Sequence, residues 1–62
     1  MENNLERIIE DRGIKKGWIC RQLGINKNTL TNWINGSVPR LDQAYKLAKL
    51  LNKNIEDVWP YE

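Results

Sequence analysis

The sequence predicts an all-α domain of five short helices, and three observations carry that prediction. Apolar residues recur at three- and four-residue intervals along the chain, which is the spacing of one face of a helix. Gly or Asn stands where most of these periodic runs stop, as at Gly13, Gly24 and Asn35-Gly36, and these residues end helices because they tolerate left-handed backbone. No segment alternates apolar with polar residues in the manner of a half-buried strand. A chain of 62 residues is too short to divide its apolar side chains between two stable cores, so residues 1–62 are read as one domain.

The first helix is expected over about residues 4 to 12. Asn3 and Glu6 have the spacing of an N-terminal cap with a reciprocal acid, and Leu5, Ile8 and Ile9 follow before Gly13. The second runs from about Lys16 to Leu23, with Ile19, Cys20 and Leu23 on one face and Gly24 placed to end it. Asn26 then offers a side-chain oxygen to the orphan amides of a third helix, about residues 27 to 34, whose apolar stripe is Leu30, Trp33 and Ile34. After Pro39, Leu41, Ala44, Leu47, Ala48 and Leu51 give the clearest helical repeat in the chain. Asn54 caps a last turn in which Glu56 and Asp57 suit the positive end of the helix dipole. Val58 and Trp59 then return toward the core before Pro60.

Composition narrows the functional classes. The chain is 40% hydrophobic and 29% charged, in the range of ordinary globular proteins. No apolar run approaches the length of a bilayer span. Met1-Glu2-Asn3-Asn4 is acidic and polar where a secretory signal would be basic and then apolar, which points to the cytoplasm. Cys20 is the single cysteine and there is no histidine, so no internal disulfide and no soft-metal ligand set is expected. Nothing pairs a nucleophile with a base or two acids in a pocket, so neither enzyme activity nor a cofactor is expected.

A net charge of +2 argues little, but its distribution argues more. From Arg12 to Arg40, 29 consecutive residues, the basic residues are Arg12, Lys15, Lys16, Arg21, Lys27 and Arg40, while all eight acids lie outside. A surface facing only water mixes its signs; a segment without acids suits the phosphates of a nucleic acid.

The middle of that segment, from Lys16 through Leu23-Gly24-Ile25-Asn26 to Asn35-Gly36, is a short helix, a tight turn and a second short helix. It resembles the lambda-repressor-like helix-turn-helix proteins, also called the Cro/XRE family, and the resemblance covers about residues 4 to 59. The pattern rests on small Cys20 inside the second helix, Leu23-Gly24-Ile25, the polar cap Asn26, apolar Leu30 and Trp33, the Asn35-Gly36 turn, Pro39, and the run Leu47-Ala48-Lys49-Leu50-Leu51. The resemblance implies a compact five-helix DNA-binding domain with its helix-turn-helix at about residues 16 to 34. It also implies a double-stranded DNA operator as partner; no small-molecule ligand is evident in the sequence.

A helix enters the major groove only if its partner crosses behind it at a steep angle. Gly24 and Cys20 permit that crossing. With Leu30, Trp33 and Ile34 turned inward, Lys27, Asn28, Thr29 and Asn32 face out. Similarity to the family makes Lys27, Asn28 and Asn32 the base readers, with Thr29 or Thr31 nearer the backbone or a thymine methyl. The chemistry fits, since Asn pairs bidentately with adenine and Lys donates to guanine. By the same resemblance Lys16 stands where the family often has a Gln that touches the backbone. Asn35, Ser37 and Arg40 match positions that hold phosphate on the far side of the groove, and Lys15 completes the frame. Lys15 and Arg40 occupy places where Ser or Thr often caps a helix, so each is expected to remove a cap and add a cation.

Several residues are read structurally. Asn26 is a cap, Trp33 is core, and Arg21 is solvated surface. Trp18 is usually polar in the family, and nothing in its spacing buries it, so it is assigned to a sugar or a second subunit. Trp59 and Tyr61 either cover the core or join Trp18 in a dimer contact, and at least one aromatic of Tyr45, Trp59 and Tyr61 should be exposed. The resulting expectation is a sequence-specific regulator, a repressor working as a dimer on a palindromic operator, because a single module buries only ~600–1,000 Å² on DNA. With no separate oligomerisation domain read, subunit contact is expected to run through the fifth helix and the tail and to be weak off DNA. A second reading keeps the fold but makes it a protein-interaction module, an antirepressor or adaptor. The acid-free run weighs against it.

Overall fold

The computed structural model describes residues 2–60. It contains α1 (Leu5–Arg12), α2 (Lys16–Leu23), α3 (Lys27–Ile34), α4 (Leu41–Leu50) and α5 (Ile55–Val58), with no strand among the described residues. α2 lies at the centre of the arrangement, packed against both α3 and α4, and α5 closes on α4. Leu5, Ile19, Leu30, Leu47, Leu51 and Val58, one or more from each helix or its immediate end, are fully buried. That shared core fixes α3 relative to the rest of the molecule.

The helix ends follow local chemistry. Gly24 is left-handed (φ 67°), and the Ile25 amide bonds back to the Cys20 carbonyl at 3.0 Å; this satisfies a free carbonyl at the end of α2 and turns the chain at once into α3. Asn26 caps α3, accepting from the Thr29 amide at 2.8 Å. Asn54 precedes α5, where the Asp57 carboxylate accepts from the Asn54 amide at 3.1 Å. α4 ends without glycine: Asn52 takes the left-handed conformation (φ 56°), and Lys53 N–H reaches the Ala48 carbonyl at 3.0 Å. Asn is the residue other than Gly best suited to that backbone.

Two expectations are corrected. Asn3 and Glu6 do not form the reciprocal cap. Asn3 Oδ1 accepts from the Leu5 amide at 3.0 Å and its Nδ2 donates to the Trp33 carbonyl at 2.8 Å, while Glu6 lies 3.7 Å from Lys16. Leu41 opens the apolar repeat of α4 but is 66% exposed, because it stands at the first position of the helix, one turn before Ala44 begins the buried stripe. Of the two readings of Trp59, the structure has it covering the core, as its return after Val58 suggested, with only 8% of its surface exposed. Tyr61 lies outside the described residues.

The N-terminal segment ties the ends of the chain together. Besides the bond from Asn3 to the last turn of α3, Asn4 donates through its amide to the Val58 carbonyl (2.8 Å) and through Nδ2 to the Asp57 carbonyl (2.9 Å). Two adjacent asparagines thereby hold α3 and α5.

Candidate nucleic-acid interface

The outer surface of α3 follows from what its inner surface buries. Leu30 and Trp33 are buried and Ile34 is half-buried, so the opposite side of an eight-residue helix belongs to solvent. Lys27, Asn28, Thr31 and Asn32 are all exposed there. Asn28 and Asn32 are one turn apart, as are Lys27 and Thr31, so the four side chains make two adjoining rows. The face carries amides, a hydroxyl and one cation, with no acid on α3.

Thr29 is placed differently from its neighbours. It is half-buried, and its hydroxyl donates to Asn26 Oδ1 at 3.0 Å while its amide donates to the same oxygen. The cap therefore holds Thr29 back toward the start of α3, leaving its methyl group and hydroxyl lone pairs for any external contact.

The framing residues lie at the helix starts and in the loop after α3. Lys15 stands at the N-cap of α2 in extended backbone (φ −82°, ψ 132°), with no side-chain hydrogen bond to the helix. Lys16 follows and pairs with Glu6. Arg40 occupies the N-cap of α4, likewise without a side-chain cap, and its guanidinium lies 3.5 Å from Asp42. Both ion pairs are largely in solvent, where such contacts contribute little and exchange readily. Lys16 and Arg40 are thus able to leave their acids for a phosphate. Sequence reasoning did not find Glu6 and Asp42 as the counter-charges, although Asp42 two residues after Arg40 was a local signal.

Ser37 and Asn35 are exposed, and the Ser37 amide donates to the Asn32 carbonyl at 2.9 Å. The loop is thereby folded back on the end of α3, which brings it beside the outer face. Asn35 also borders an open surface groove of about 560 Å³ whose rim includes Glu2. An acid there opposes a phosphate, so Asn35 is the least favoured of the framing positions. Trp18, on the outer side of α2, is 37% exposed. Among the described residues no group of three His, Cys, Asp or Glu side chains is placed to hold a metal ion. No helix among them is long and apolar enough to cross a membrane.

Comparison with known proteins agrees with this geometry. The profile of the Cro/C1-type HTH DNA-binding domain matches residues 4–62. No curated protein matches the chain significantly.

Proposed function

We propose that this chain, which belongs to the Cro/C1-type helix-turn-helix DNA-binding family, is a transcriptional repressor that reads an operator with α3. The observation that carries the reading is the outer face of α3, where exposed Asn28 and Asn32 stand one turn apart beside Lys27 and Thr31. Residues 1–62 act as one DNA-binding unit in the cytoplasm. α3 enters the major groove with Asn28 and Asn32 positioned to pair with adenine and Lys27 to donate to guanine, each good contact discriminating by about 1–3 kcal/mol. Thr31 reaches the backbone or a thymine methyl, and Thr29 contributes its methyl group. Lys15 and Lys16 on one side of the groove, and Ser37, Asn35 and Arg40 on the other, hold phosphates and set the register.

Two copies occupy the half-sites of a palindrome, and repression follows from occupancy of the operator. The subunit contact is assigned to Val38, Leu41 and Tyr45. They are 62%, 66% and 58% exposed, large side chains in the loop after α3 (Val38) and on the first two turns of α4 (Leu41, Tyr45), and exposed apolar groups of this kind favour a partner surface.

Selection of binding sites from random duplex DNA tests the whole reading. An enriched motif with two-fold symmetry and half-sites about one turn apart, roughly 34 Å, is the expected outcome. Absence of any enriched motif at modest salt would overturn it.

A further inference from the structure

Trp18 projects from α2 on the side opposite buried Ile19, Cys20 and Leu23. It walls an open groove of about 370 Å³ together with Ile14, Lys15, Arg21 and Leu50. The apolar part comes from three elements of the fold, the α1–α2 turn, α2 and the end of α4, while the charged part is cationic only. Lys16 and Arg40 have acids beside them; Lys15 and Arg21 meet no carboxylate within ion-pair distance among the described residues. Both the apolar surface and the two cations of this groove are therefore left to be covered from outside the described chain.

We propose that the groove docks an acidic segment of a second protein, with one large apolar side chain seated against Trp18, Ile14 and Leu50 and its flanking carboxylates on Lys15 and Arg21. Three features select that occupant. DNA would satisfy the two cations but not the apolar floor. Leu50 also stands at the far end of α4 from Arg40, ten residues and about 15 Å along the axis, which leads away from the phosphate-holding end. Among the described residues a second copy is a poorer match, because its other exposed apolar side chains, Val38, Leu41 and Tyr45, have the cations Arg40 and Lys46 beside them and a single acid, Asp42, so the charges nearest the contact are mostly cations facing cations. The volume lies at the small end of ligand sites and suits one anchoring side chain, and the Trp18 indole N–H is a donor that a carboxylate can accept from. Lys15 belongs both to this groove and to the proposed phosphate set. Occupation of the groove should therefore weaken DNA binding, a consequence that rests on the DNA-binding reading, whereas docking itself does not.

The test is selection of a random peptide library on the DNA-free protein, with the winning synthetic peptides titrated against the parent chain, Trp18→Ala and Arg21→Glu. The expected winners carry Asp or Glu beside a Trp, Phe or Leu. Each variant should weaken them roughly tenfold or more while still unfolding cooperatively, and the peptides should shift the NMR signals of Ile14, Trp18 and Leu50. Winners without acids, binding indifferent to both variants, or a library that yields no Trp18-dependent binder would each overturn the proposal. So would Trp18→Ala acting elsewhere, either by weakening duplex DNA roughly tenfold without any peptide effect, or by dissociating a dimer seen in sedimentation. Loss of peptide docking with intact DNA binding, and the reverse, separate this proposal from the DNA-binding one.

Discussion

Asn26 accepts two hydrogen bonds through one oxygen, from the amide and from the hydroxyl of Thr29, and this makes it a structural rather than a reading residue. Asn26→Ala should lower stability by about 1 kcal/mol, the usual effect of removing such a cap, measured by urea unfolding. Thr29→Val, which keeps the amide bond and removes only the hydroxyl, should lose less; an equal loss would show that the hydroxyl bond carries the cap. The exposed asparagines of α3 behave otherwise. Asn28→Ala or Asn32→Ala should leave stability nearly unchanged and weaken operator binding by about 1–3 kcal/mol while scarcely altering binding to random duplex, because base contacts alone separate the two. Equal losses on both DNAs would remove these residues from the reading face. The Asn26 cap and the outward placement of Asn28 and Asn32 were legible in the sequence, since a cap and an outward helical face depend on neighbours within one turn. The duties of Asn3 and Asn4 were not, because their partners lie 30 and 53 residues away and no local spacing encodes such contacts.

At the scale of the helix, α2 and α4 begin with a cation where a capping side chain would satisfy a free amide. The backbone of Lys15 already has extended geometry suited to a cap, and only the side-chain oxygen is missing. Lys15→Thr should therefore raise stability by about 1 kcal/mol and at the same time reduce the salt dependence of DNA binding by about one unit of slope. Urea unfolding and binding titrated across salt concentrations read the two effects separately. A gain in stability with an unchanged slope would remove Lys15 from the phosphate set and leave it only the groove beside Trp18. Apolar periodicity located α4, yet Leu41 carries the repeat one turn past the point where the body of the protein ends, and a helical pattern has no knowledge of where its partners stop. Trp59 is the converse, an aromatic after a short helix whose burial depends on how α5 closes against α4.

For the molecule as a whole, size bears on how two copies meet. The longest extent of the fold is 30 Å, slightly less than the roughly 34 Å between half-sites one DNA turn apart. On the proposed two-fold operator, copies centred one turn apart would reach each other only through side chains projecting from their edges and not across a broad face, so such a contact is expected to be weak away from DNA. Val38, Leu41 and Tyr45, next to the loop proposed to hold phosphate, are placed for such a contact. Leu41→Gln, which removes the apolar contact without adding charge beside Arg40, should then leave affinity for an isolated half-site unchanged, because Leu41 contacts neither base nor phosphate in this arrangement, while abolishing cooperativity on the full operator. Burial of one Leu side chain is favourable by about 1.5–3 kcal/mol, so a reduction of at least roughly tenfold in full-operator affinity is the expected size. Titration of a half-site and a full-site duplex with the same protein measures both. Equal weakening on the two duplexes would place Leu41 in the DNA contact itself, and no change on either would move the subunit contact to another surface.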